Sequence, residues 1–191
     1  MPYHPARVVF LINPKCANSS IKFALLQAQN KEIRNGVHAS SETWSPAQVA
    51  ASGYRAIGLS RNPYARAVSI WNSKIAKPGK SGLTKYPGFA PGQSFVEFLR
   101  AANRTGEYGE QHLRSQWIGM YHGKRFLPDR VLKIEDPQAW EKVQAEVPGL
   151  PPLANRNSSN APDWQEMCRG EAKALIQKRW ARDFEVFGYA T

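Results

Sequence analysis

The sequence predicts an α/β protein built on a parallel sheet, and three observations carry that prediction. Apolar runs at 7–12, 54–60 and 130–134 are short, aliphatic and bounded by polar or turn-forming residues, as strands covered on both faces are. Segments with helical spacing of apolar residues stand between them, the alternation that builds parallel sheets. The first two runs break directly into loops of basic and small residues and then into helices.

Taken in order, the elements are a strand at 7–12, a helix at 19–29, a short strand at 35–38, a helix at 46–51 and a strand at 54–60. A helix at 63–76 follows. The stretch KPGKSGLTKYPGFAPGQS then holds too many turn formers, over too great a length, for an ordinary connection, and reads as a mobile loop over the site. Helices at 93–103 and 110–121, a strand at 130–134 and a helix at 137–146 come next. A Pro- and Asn-rich loop at 148–163 leads into a last helix at 164–182. No internal repeat interrupts this order, and 191 residues suit one compact domain.

The most informative segment is RVVFLINPKCANSS at 7–20. A strand ends in Asn13, Pro14 and Lys15, and small or hydroxylated residues lead into a helix. This is the design of a phosphate cradle: backbone N–H groups point inward, and the positive end of the helix dipole joins Lys15 and the hydroxyls of Ser19 and Ser20. The loop is not the GxxxxGK[ST] loop of ATPases, because both glycines are missing and the lysine precedes the small residues. ATP with magnesium is therefore not the first expectation. At 54–69, YRAIGLSRNPYARAVS repeats the strand–loop–helix plan, and its Arg61 and Ser69 suit a second phosphate group, while Arg66 reads as structural.

These two segments resemble motifs of the sulfotransferases that use 3'-phosphoadenosine 5'-phosphosulfate (PAPS), in particular the carbohydrate-modifying, Golgi-type branch. PKCANSS is similar to that family's 5'-phosphosulfate loop, PKTGSTS, and RNPYARAVS to its 3'-phosphate motif, RDPxxRxxS. Cys16 and Asn18 stand where Thr and Gly or Ser are commoner, and Asn62 where Asp is usual. EQHLRSQW at 110–117, RVLKIED at 130–136 and WARDFEVFGY at 180–189 are similar to later blocks of the family. The resemblance implies a three-layer P-loop-like fold with helices on both sides of a central parallel sheet.

It also implies a reaction: sulfuryl transfer from PAPS, as donor co-substrate, to a hydroxyl of a carbohydrate or glycoconjugate, an anionic one included. Pro14, Lys15, Cys16, Ala17, Asn18, Ser19 and Ser20 would line the 5'-phosphosulfate loop, with Lys15 at the bridging oxygen. Arg61 and Ser69 would bind the 3'-phosphate, and Asn155 and Ser158 of the late loop would close over it or over the adenine. His38, in NGVHASSETW, occupies the place where the branch presents its catalytic histidine, and imidazole suits hydroxyl activation near neutral pH. His112 and Glu135 are assigned to the acceptor and are the rival bases. Trp44, in a polar stretch after His38, is a candidate for stacking on a sugar.

Composition narrows the alternatives. A formal net charge of +11 calls for anionic partners without choosing among nucleic acid, membrane and glycan. Basic residues are dispersed and no nucleic-acid motif is present, so a nucleic-acid module ranks below the enzyme; a nucleotide kinase ranks below it because of the lysine's position. Lys173, Lys178, Arg179 and Arg182 read as solvated surface. Cys16 and Cys168 are far apart and support no disulfide, and no CxxC or HExxH spacing suggests a metal. The first apolar run is too short to span a bilayer and leads straight into the loop, which reads as a soluble, cytoplasmic protein; the resemblance, whose Golgi members carry an anchor and a stem ahead of this domain, implies a bacterial or viral source.

Overall fold

The structure is a computed structural model, and it describes residues 1–76, 82–154 and 162–191. Its contacts group the chain into two units, Met1–Arg61 with Ile118–Ser158, and Asn62–Trp117 with Ser159–Thr191.

The first unit is built on a four-stranded sheet. β1 (Pro2–Tyr3), β2 (Val8–Ile12) and β3 (Arg55–Ser60) are joined by a later strand, β6 (Arg130–Lys133), in the order β1-β2-β3-β6. β1 runs antiparallel to β2; the β2–β3 and β3–β6 pairs are parallel, with Ile12 opposite Leu59 and Ser60 opposite Lys133. Asp129 extends the ladder, since its amide donates to the Ala56 carbonyl at 2.8 Å and its carboxylate accepts the Ala56 amide at 2.7 Å. α1 (Asn18–Ala28), α2 (Pro46–Ser52) and α5 (Ala139–Glu146) complete the unit. Phe10, Ile21, Leu25, Leu26, Ile57, Leu132, Trp140 and Val143 form its core, which is why the strand sequences are apolar on both faces. Gly58 allows a close approach to β3: a Cβ there would lie 3.0 Å from Met120 Sδ and 3.1 Å from Pro128 Cγ, so those side chains would have to give by a few tenths of an ångström.

The second unit is helical: α3 (Pro63–Lys74), α4 (Phe95–Arg104), α6 (Trp164–Met167), α7 (Gly170–Arg179) and α8 (Ala181–Phe187). Ile70, Phe98, Leu99, Ile176 and Trp180 are among its fully buried residues. Asn62 caps α3 through the Tyr64 amide with Pro63 at the first helical position, and a Ser94–Glu97 capping box opens α4. Arg66, almost wholly buried, donates from one guanidinium nitrogen to the carbonyls of His112 and Arg114. The reading of Arg66 as structural agrees with that placement.

Several expectations need correction. No strand forms at 35–38: Asn35 and Gly36 have φ of 54° and 88°, and Ser40 closes the turn by bonding both the amide and the carbonyl of Arg34. No helix fills 110–121 either. There the Glu110 carboxylate captures the amides of His112 and Leu113, a local bond that competes with helix formation, and only Gln116–Met120 makes a 3-10 turn. The final helix is three, broken at Cys168 and Arg169, just ahead of Gly170 (φ 51°), and at Trp180. A small antiparallel pair, β4 (Tyr121–His122) with β5 (Arg125–Phe126), was not foreseen, nor was β1.

The long Gly- and Pro-rich stretch is tied down where it is described. Leu83 and Phe89 are buried, Trp71 Nε1 donates to the Gln93 carbonyl at 2.8 Å, and the Gly92 amide donates to the Ile75 carbonyl at 2.7 Å. Residues 82–93 are thus part of the second unit's packing, not a loose cover. Arg179 is not solvated surface; it reaches the carbonyls of Thr105 and Leu113 at 2.7 and 3.2 Å. Arg182 lies 4.1 Å over the ring of Trp117.

Candidate functional site

Three neighbouring parallel strands end on one edge of the sheet, and the loops that leave them carry Lys15, Arg61 and Glu135. Ligands of open α/β sheets gather at such carboxyl ends.

The loop after β2 is the most constrained. The Cys16 amide donates to the Asn13 carbonyl at 3.2 Å, and Cys16 is fully buried. Lys15 and Ala17 adopt left-handed conformations, φ 70° and φ 51°, which cost a non-glycine residue roughly 1–2 kcal/mol each. Sequence reading placed the loop's departures at Cys16 and Asn18; the backbone cost falls on their neighbours. Loops with such left-handed residues are where backbone N–H groups can be turned to one side as an anion-binding nest. Ala17 is also the N-cap of α1 and offers no side-chain oxygen to the first turn. Helix starts are common places for anions to bind.

Arg61 fixes this loop from the next strand. Its Nη1 donates to the Lys15 carbonyl at 3.0 Å, so the two motifs predicted to bind phosphate are in direct contact. His38 approaches from the other side: its Nε2 lies 3.2 Å from Ser19 Oγ, on the first turn of α1. Both His38 and Glu135 are exposed, the latter just beyond β6. Ser20 is buried on α1.

Other predicted residues lie elsewhere. The Trp44 ring packs on Tyr54 and His4, with centroids 5.1 and 5.8 Å away, and its indole N–H donates to Glu42. Tyr54 precedes β3, so Trp44 sits at the amino-terminal end of the strands, about 20 Å of strand away from the loop. Ser69, buried on α3, and His112 belong to the second unit. Asn155 and Ser158 lie outside the described residues. Among the described residues, no group of three or more His, Cys, Asp or Glu is placed to hold a metal ion.

One residue was missed. Glu110, buried in the second unit, accepts from His112 Nδ1 at 2.6 Å and from the His112 and Leu113 amides at 2.6 and 3.3 Å. Burial alone would raise its carboxyl, but the bonds from His112 and Leu113 outweigh it and hold the group below the usual glutamate range. The signal was present in EQHL, an acidic residue two and three positions ahead of amides it can cap.

The sequence model of the sulfotransferase family matches residues 4–190, nearly the whole chain. The chain belongs to the sulfotransferase family. Comparison with curated proteins gives no match, and comparison with solved structures gives none. This is the family of the Golgi-type carbohydrate sulfotransferases, P-loop-like enzymes that take PAPS as donor, and the sheet with its flanking helices has the mixed α/β character of that fold. Membership makes the chain a sulfuryl transferase with an acceptor substrate. No described helix of this sulfotransferase is long and apolar enough to cross a membrane.

Proposed function

We propose that this sulfotransferase moves the sulfuryl group of PAPS onto a hydroxyl of a carbohydrate or glycoconjugate, and that the β2–α1 loop holds the donor's 5'-phosphosulfate. The observation that carries the reading is the pair of contacts meeting at that loop: Arg61 on the Lys15 carbonyl, and His38 on Ser19. These contacts support a reading in which the β2–α1 loop, with Arg61 on its backbone and His38 at the start of α1, receives a tetrahedral anion.

The reaction breaks the bond from sulfur to the 5'-phosphate oxygen and forms one from sulfur to the acceptor oxygen. Backbone N–H groups of the loop other than that of Cys16, with the hydroxyls of Ser19 and Ser20, hold the phosphate in this reading. Lys15 neutralises the charge that grows on the leaving oxygen, the kind of fixed electrostatic stabilisation that lowers such barriers most. Arg61 binds the 3'-phosphate, a task its motif also assigns to Ser69, and its bond to the loop couples the two phosphate sites. His38 takes the proton of the acceptor hydroxyl. Glycans that already carry negative charge suit the basic chain, of formal net charge +11.

Titration of the purified protein with 3'-phosphoadenosine 5'-phosphate, the desulfated product, tests the donor half. A ligand that binds the native state raises the melting temperature. Stabilisation by this nucleotide, with AMP and with ATP plus magnesium far weaker, is the expected result. A flat response, or preference for ATP with magnesium, would overturn the assignment.

A further inference from the structure

Neither hydrophobic core takes in any residue of the β4–β5 hairpin, whose sequence is YHGKRF. Tyr121 is half-buried and the five residues after it are exposed; Phe126, at 38%, is one of three large hydrophobic side chains left so open among the described residues. Gly123 supplies the positive φ, 58°, that a two-residue hairpin turn favours. Tyr121 lies opposite Phe126, and His122 opposite Arg125. Opposite residues share a face and successive ones alternate, so the pairing gives the hairpin one aromatic face and one bearing His122 and Arg125, with Lys124 at the turn. The Tyr121 and Phe126 rings meet with centroids 5.1 Å apart. Among the described residues, no ion pair or side-chain hydrogen bond engages His122, Lys124 or Arg125.

The surroundings of the hairpin are poor in negative charge. Residues 118–128 contain no Asp or Glu, α2, which packs against β4, has the uncharged sequence PAQVAAS, and the carboxylate of Asp129 is engaged by the Ala56 amide. The base is anchored: the Leu127 amide donates to the Met120 carbonyl at 2.9 Å, both residues are buried, and Met120 and Pro128 close on Gly58. That base also adjoins the donor loop, since a Cβ on Gly119 would lie 3.2 Å from Asn13 Oδ1. Lys124 is then no more than about 18 Å of chain from Gly119. Hairpin and loop both belong to the first unit.

We propose that this hairpin is a docking site for an anionic polysaccharide, the acceptor chain of the sulfuryl transfer: Lys124 and Arg125 pair with its carboxylates or sulfates, and the Phe126 ring beside Tyr121 packs on a sugar face. The inference rests on the carbohydrate-acceptor reading above and adds to it the class of glycan and the place where the chain is held. Charge complementarity selects the partner. Unpaired cations without a neighbouring acid attract a polyanion, and the exposed ring gives the C–H face of a sugar an apolar surface to cover. A neutral glycan would leave both charges unused.

Calorimetric titration of the purified protein with chondroitin chains, which carry a carboxylate on each uronate, tests the proposal, with poly(U) as a nucleic-acid polyanion. The wild type is expected to bind chondroitin. In the double variant Lys124→Gln with Arg125→Gln, the chondroitin Kd should rise about tenfold at low ionic strength and by less at physiological salt, because screening removes part of what two exposed charges contribute. Phe126→Ser should also weaken chondroitin, with its salt dependence unchanged. Melting temperatures close to wild type show that the variants are folded, and stabilisation by the desulfated nucleotide reads the donor loop separately. Folded variants that bind chondroitin within about twofold of wild type, variants that lose poly(U) more than chondroitin, or a wild type that binds no chondroitin would each overturn the inference. If the nucleotide still stabilises the protein in those cases, the donor assignment stands; hairpin-dependent chondroitin binding without a nucleotide response would overturn the donor assignment alone.

Discussion

Replacing Asp183 by asparagine changes almost nothing in size and removes one acceptor oxygen from the interior of the helical unit. Asp183 is fully buried. One of its oxygens accepts from the Gln116 amide at 2.9 Å and from Gln116 Nε2 at 3.3 Å, the other from the Trp117 amide at 3.0 Å. Asparagine keeps a single oxygen, so its NH2 is set against a backbone N–H, and two buried donors then face each other at about 1–3 kcal/mol apiece. Neutralisation works the other way. Burial pushes the Asp183 carboxyl up, against the pull of the Arg66 charge and of the Gln116 and Trp117 hydrogen bonds, so removing the charge recovers some desolvation. That recovery is itself offset, because buried Arg66 loses its nearby anion. The net expectation is a loss of about 3 kcal/mol, at the low end for breaking one side of a buried charged network. Urea unfolding measures it: with a slope of about 2 kcal/mol per molar, the midpoint should fall by about 1.5 M at unchanged slope. A midpoint within about 0.3 M of wild type would refute the reasoning.

Arg61→Ala should weaken the desulfated nucleotide by about 10- to 100-fold in calorimetric titration, since a charge-assisted bond contributes about 1.5–3 kcal/mol; Lys15→Ala should fall in the same range. A dissociation constant within a factor of about two of wild type would remove either residue from the donor site. His38→Ala is expected to abolish transfer while leaving nucleotide binding nearly intact, and turnover retained in that variant would move the base to His112 or Glu135. The depressed Glu110 carboxyl contributes stability that is present above its ordinary value of 4.5 and is lost as pH falls through its lower folded value. Urea midpoints between pH 3 and 6 should therefore drop less steeply in Glu110→Gln than in wild type, and parallel curves would show that the group does not titrate as described.

Reading residues in order succeeds wherever the deciding interactions are between near neighbours. Strands β2, β3 and β6, helices α1, α3, α4 and α5, and the loop with Lys15 were legible because apolar periodicity and a strand–loop–helix junction are properties of adjacent residues. The same holds for Arg61 and Pro63, whose spacing marks the start of α3. Prediction failed where a side chain captured the backbone. Glu110 unmade a helix by bonding two amides, and Ser40 unmade a strand by closing a turn on Arg34. Propensity counts see neither, because the competing bond depends on where a single carboxylate or hydroxyl points.

The sequence by itself determined the α/β class, the phosphate loop after the first long strand and the family to which the chain belongs. Only the tertiary structure decided that Ala17 takes a glycine-like conformation, that Arg61 grips the Lys15 carbonyl, that His38 meets Ser19, and that Trp44 packs at the far end of the strands. Lys15 and Arg61 are 46 residues apart, and Ser19 and His38 are 19 apart. Their contacts exist because parallel pairing of β2 with β3 brings two strand ends to one edge, and a turn at Asn35 and Gly36 carries the histidine back to the helix start. Such distances are set by register and by turns, which one-dimensional periodicity does not record.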